Sequence, residues 1–375
     1  MSVERFLSGY TPGEDVDEDI LAELSAITSE EGLKIARLWS AWTDDEVLDL
    51  HTKLSDLSAI DSTMEFECIF KAGLDHKDGR VRAAAAHGLA ETGDTSAISR
   101  ILEIMEQDPD NDARAAAASA VSSFAVIASE GRLTERLRVR MFESLTSVLD
   151  APDAPPDLWR RSLEAAGAFG NARANRYIEK AMKSGSSDLK RSVLIAMART
   201  CDPRWLDFVT QELENPDATV RFEAVNALGE IGEEADAFYL EEPLDDQDLM
   251  VQLAAVAAAE KIGGPTAKSM LQIAAQSSEP AVSSAASEAL AGIANDENLV
   301  HTVTPEMART GMYGARMSGS DDTVPYDAGE REGWGHLGED GESFLSPDAI
   351  HEDDDDPLAS IMDFEATPGQ WEDDD

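Results

Sequence analysis

The sequence predicts an all-α chain, an α-α superhelical solenoid with a disordered C-terminal tail. Three observations carry that prediction. The run Ala218-Thr219-Val220-Arg221-Phe222-Glu223-Ala224-Val225-Asn226-Ala227-Leu228-Gly229-Glu230-Ile231-Gly232 recurs seven times in weakened form. Its copies lie 32, 45, 31, 31, 31 and 31 residues apart, and a fixed period of that size marks a stack of similar units. After Ala294 the pattern stops, and Gly, Ser, Pro and Asp take over.

The elements follow in chain order. Met1 to about Asp19 reads as polar and loose. A helix is expected near Glu30 to Trp42, weighted by Leu33, Ile35, Ala36, Leu38, Trp39 and Trp42. The next opens at Thr43-Asp44-Asp45-Glu46, a capping box in which Thr43 and Glu46 satisfy each other's free amides. It continues through Val47, Leu48, Leu50 and Leu54. Residues 1–60 are thus an N-terminal segment and helical cap, because an end repeat must cover its apolar face.

Residues 61–294 hold about seven helical hairpins. Each unit aligns on one anchor in its second helix: Arg82, Arg114, Trp159, Lys190, Arg221, Gln252 and Ser283. The residue before each anchor is Val81, Ala113, Leu158, Leu189, Val220, Val251 or Val282. Small residues dominate three and six places on, and a small residue stands at eleven in every unit: Gly93, Ala125, Gly170, Cys201, Gly232, Gly263 and Ala294. Offsets −1, 3, 6 and 10 share one stripe of a helix with 3.6 residues per turn. The small residue at offset 11 suits a left-handed helix end. Runs such as Ile98-Ile101-Leu102-Met105 and Trp205-Phe208-Val209-Leu213 supply the first helices, and Pro265 fits a first turn. The link before the third unit is about fourteen residues longer, so a loop or extra helical turns should bulge there.

These residues resemble the HEAT-repeat family, in its short-period, phycobilisome-lyase-like branch. The signature Asp-x-x-Val-Arg-x-x-Ala-x-x-Ala-Leu-Gly is fullest at Asp217 to Gly232 and recognisable at Asp78 to Gly93 and Asp248 to Gly263. The resemblance covers about Asp61 to Ala294, and Trp159 and Lys190 depart from it. It implies a right-handed HEAT/ARM-like solenoid. It also implies that the anchor arginines pair with acids in a ladder between repeats. Asp78, Asp110, Asp217, Asp248 and Glu279 stand four residues before their anchors. Two enzyme-related types share the repeat, bilin lyases and deoxyhypusine hydroxylase. The latter holds iron with repeated His-Glu pairs, whereas the one His-Glu pair here is His351-Glu352, in the tail.

Composition excludes other classes. The net charge is −46, which repels nucleic acid and anionic lipid at long range. No run of eighteen apolar residues exists, so no membrane span is expected. The N-terminus has no basic region followed by an apolar core, and a cytoplasmic location is expected. Cys68 and Cys201 make no disulfide framework and are read as small packing residues. His51, His76 and His87 share no ligand spacing and are read as surface residues, with no metal and no cofactor. No nucleophile elbow, phosphate loop or dinucleotide fingerprint occurs.

Two candidate binding regions remain. Positions one, two and five after each anchor are expected to face outward on the concave side. They give Arg160, Arg161, Arg191, Phe222 and Leu253 as candidate partner contacts. Residues 295–375 are an acidic tail with an apolar island at 357–371, carrying Leu358, Ile361, Met362, Phe364 and Trp371 between runs of Asp and Glu. Such an island suits docking in a groove, on a partner or on the solenoid itself. The expected function is a non-catalytic, protein-binding scaffold or adaptor, the partner being unnamed by the sequence.

Overall fold

A computed structural model describes residues 2–14, 16–129, 131–183 and 186–302. Among them there is no strand. The α-helices are α1 (Ser2–Gly9), α2 (Glu18–Ala22), α3 (Ser29–Leu38), α4 (Asp44–Ile60), α5 (Glu67–Gly73), α6 (Gly79–Thr92), α7 (Ile98–Gln107), α8 (Asn111–Ser129), α9 (Glu135–Leu149), α10 (Pro156–Gly167), α11 (Ala172–Ala181), α12 (Ser187–Thr200), α13 (Leu206–Glu212), α14 (Ala218–Ile231), α15 (Leu249–Ile262), α16 (Gly264–Ala274) and α17 (Pro280–Thr302). The helices up to Leu290 belong to one compact unit.

The stack follows the stripe. The second helices α6, α8, α10, α12, α14 and α15 pack one on the next in chain order, and α5, α7, α9, α11 and α13 lie against them. Val81, Ala85, Ala113, Ala117, Leu158, Ser162, Val220 and Ala224 are all sealed from water. Burying each Val or Leu of this set contributes about 1.5–3 kcal/mol, and the Ala and Ser less. Close approach depends on small residues: a Cβ at Gly167 would stand 2.3 Å from the Ala196 carbonyl oxygen, on the facing helix α12. Before α15 the first helix is replaced by two 3-10 segments, Glu234–Leu240 and Pro243–Asp245.

Helix ends follow the expectation in part. Gly93 and Cys201 close α6 and α12 in the left-handed region, and Gly170 also has positive φ. Gly232 is extended, and Ala125 lies inside α8, which runs to Ser129. The longer link before the third unit is absorbed by helices: α8 has 19 residues and α9 has 15, where α6 has 14 and α7 has 10.

The N-terminus differs from the expected loose segment. Residues 2–9 form α1, and Val3, Phe6 and Tyr10 are buried. Phe6 stacks on Tyr10 at 4.7 Å between centroids, and Tyr10 meets Trp42 at 5.4 Å. The spacing of Val3, Phe6 and Tyr10 is that of one helical face, which the polar composition around it obscures. The capping box at Thr43 and Glu46 forms as expected, and a second one at Thr28 and Glu31 opens α3.

Candidate functional site

The anchor row is the natural place to begin, because its side chains repeat on every second helix. Arg82 donates through Nε and Nη2 to Asp108 at 2.7 and 2.5 Å, and through Nη1 to the carbonyls of His76 and Lys77. Arg221 repeats this, with Asp246 at 2.7 and 2.8 Å and the carbonyls of Asn215 and Pro216. Lys190 reaches Glu212 at 2.8 Å. Arg114 donates to the Met105 carbonyl, Gln252 to that of Asp246 and Ser283 to that of Ala275. Trp159, fully buried, donates its indole N–H to the Leu149 carbonyl at 3.2 Å. All seven anchors therefore use their donors in joints within or between hairpins, and the row forms no basic groove.

The acids of this ladder are not the ones four residues before the anchors. Asp78, Asp217 and Asp248 accept from backbone amides at the start of their own helices, which places them as N-caps. The guanidinium instead crosses to the turn of the next hairpin, where Asp108 and Asp246 wait. Each of those also accepts a backbone amide two residues on, from Asp110 and Asp248. Burial opposes ionisation of Asp108, yet the Arg82 hydrogen bonds hold its pKa below the ordinary carboxylate value. The Arg221 hydrogen bonds do the same for Asp246.

The face beside the row is different. Arg160 is paired with Asp157 and lies 3.4 Å from Asp188. Arg161 bonds Glu164 at 2.9 Å, and the buried Glu164 also accepts from Ser192 at 2.7 Å. Arg191 lies 3.4 Å from Asp188, and its Nε is buried without a hydrogen-bond partner. Phe222 is half-buried on α14. Arg191 and Phe222 meet in one cavity of about 260 Å³ with Glu223 and Met250, the latter 57% exposed. A second cavity of about 480 Å³ shares Glu223 and adds Val126, Ile195 and Arg199. Burial raises the Glu223 pKa above the ordinary range, with Arg191 opposing.

The structure thus brings Arg191 and Phe222 together. Leu253 is half-buried on α15 and does not line either cavity. Glu223, two places after Arg221, is at a position expected to face outward, whereas Met250 and Val126 were missed as lining residues. Met250 and Val126 lie two places before and twelve after their anchors, so the periodic outward positions do not include them. Leu358, Ile361, Met362, Phe364 and Trp371 lie outside the described residues.

Two other expectations are corrected. His51 is fully buried, not at the surface. It sits 5.3 Å from Trp39, its Nδ1 bonds the Val47 carbonyl, and burial pushes its pKa down to about 4. It occupies the inward side of α4, which composition alone does not reveal. Cys201 is exposed and Cys68 only half-buried, because the left-handed turn at Cys201 carries its side chain out of the stripe. Among the described residues no three His, Cys, Asp or Glu side chains converge as a metal site, and no helix is long and apolar enough to cross a membrane.

The family model for HEAT repeats matches residues 66–131 and 176–258. Those two stretches are HEAT repeats. The gap between them holds the lengthened α9 and the Trp159 anchor. Similar solved structures include the complex of CpcE and CpcF of phycocyanin lyase from Nostoc sp. PCC7120, at 17% identity over 65% of this chain and 91% of that one, with a TM-score of 0.44. Human deoxyhypusine hydroxylase in complex with glycerol is also similar, at 17% identity over 70% of this chain and 94% of that one, with a TM-score of 0.31. No curated protein matches the chain.

Proposed function

We propose that this HEAT-repeat chain is a non-catalytic scaffold that holds a protein partner on the face formed by its second helices. The observation that supports this is the pair of cavities meeting at Glu223. There Phe222, Met250 and Val126 offer apolar surface beside Arg191, whose Nε lacks a partner. Apolar side chains partly exposed beside a charged group suit a protein contact. The helices are already ordered, so binding incurs little ordering cost. The acidic tail contributes a second docking element, on a partner or on the repeats.

The test is affinity capture with the intact chain and with Phe222→Ser combined with Met250→Ser. Loss of a reproducible partner, with the far-UV spectrum unchanged, supports the reading. Unchanged capture overturns the placement of the site. Stoichiometric iron in the purified protein would replace the scaffold reading by an enzyme of the hydroxylase type.

A further inference from the structure

The chain carries 76 acidic and 30 basic residues, yet residues 132–183 hold ten Lys and Arg against seven Asp and Glu. Most of those cations sit on the first-helix side, on α9 and α11, away from the second-helix face. On α9 the inward residues are Met141, Leu145 and Val148, and the outward ones include Arg136, Val139 and Arg140. Arg136, Arg140 and Arg176 are exposed and make no ion pair or hydrogen bond among the described residues. Val139 is 43% exposed. It borders a depression of about 280 Å³ with Phe142 and Phe169, whose rings lie 5.2 Å apart. Arg138, Arg173, Asn171, Glu135 and Glu143 complete the lining. Arg138 is held by Glu135 at 3.4 Å and Arg173 by Asp150 at 2.9 Å.

An apolar floor beside unpaired guanidinium groups calls for an occupant with apolar side chains set between acids. The same chain contains one. Leu358, Ile361, Met362 and Phe364 follow Asp353-Asp354-Asp355-Asp356, with Asp363 between the last two. We propose that the segment from Asp353 to Trp371 seats on α9 and α11, its apolar side chains against Val139 and Phe142 and its aspartates against Arg136, Arg140 and Arg176.

Reach permits it. Leu358 stands 56 residues beyond Thr302, a contour of up to roughly 180 Å at about 3.3 Å per residue. The steps from α15 back through α14 and α12 to α10 cover about 30 Å at 8–10 Å per helix pair. A tethered occupant acts at an effective concentration on the order of a millimolar or below, which fills even a weak site. The anchor row does not compete, since its arginines are already paired. The inference rests on the tail-docking part of the proposed function and is independent of the second-helix face, which other helices form.

The test uses the full chain with a photo-reactive phenylalanine analogue at position 139. The expected result is a cross-link within one molecule to a peptide from residues 353–371, unchanged on dilution. Arg136→Glu with Arg140→Glu, or Ile361→Asp with Phe364→Asp, should each lower its yield by about tenfold, as expected for reversed charges or lost burial. Phe222→Ser with Met250→Ser should leave it unchanged. Cross-links to another region, to a second copy or to an acidic partner protein overturn the proposal. Hydrogen exchange on the unmodified chain guards against misfolded variants. In 1 M salt, where screening acts over about 3 Å, residues 135–149 and 353–371 should lose protection together. No change in either overturns it.

Discussion

In the fifth unit the joint between hairpins is Arg221 forked onto Asp246. In the third the anchor is Trp159, buried and bonded within its own hairpin to the Leu149 carbonyl. One is ionic and partly buried; the other is aromatic and reaches back to the helix before it. The contrast teaches that the anchor position requires a donor long enough to reach a neighbouring turn, and not a charge. Lys190, Gln252 and Ser283 fit the same rule with three further chemistries.

The sharpest way to break the comparison is at Trp159. Trp159→Ala removes the largest fully buried side chain and should cost about 3–5 kcal/mol in chemical denaturation. Trp159→Phe keeps most of the bulk and loses the donor, so about 1 kcal/mol is expected. If the two variants cost the same, the hydrogen bond is the joint and the packing is incidental.

The cap offers the opposite case, a buried ring whose Nε2 has no partner. The folded pKa of His51 is depressed to about 4. Its contribution is therefore complete above the unfolded value of about 6.5 and is lost as pH falls towards 4. Up to about 3 kcal/mol of stability should disappear across that window. His51→Leu should flatten it in urea titrations taken at several pH values. The Asp108 and Asp246 carboxyls, held below their ordinary value, act in a lower window. Their contribution is present above the unfolded pKa of about 4 and lost as pH falls through the folded one.

Arg221 sharpens the comparison from the ionic side. Arg221→Ala leaves Asp246 half-satisfied and should cost about 1.5–3 kcal/mol, the range for hydrogen bonds to a charged group. Arg221→Gln retains a donor, as Gln252 does, and should cost about 1 kcal/mol. Equal losses would mean that charge decides after all. The smallest effect is expected at Arg160, outside the row. Its pairs with Asp157 and Asp188 lie at the surface, and Arg160→Ala should change thermal stability by less than about 1 kcal/mol.

The sequence by itself determined the stack, because a 31-residue period written in apolar and small residues fixes which side of each helix is buried. It also fixed the Thr43–Glu46 capping box, whose partners stand three residues apart. It did not fix which acid each arginine meets. Asp217 precedes Arg221 by one turn, but its carboxylate is drawn to its own helix amides, so the guanidinium crosses to Asp246. Nor did it place His51 inside the cap or gather Arg191, Phe222 and Met250 around one cavity. Periodicity acts along a single helix. Which side chains meet between helices depends on reach and on competition from local caps, and only the packed hairpins decide that.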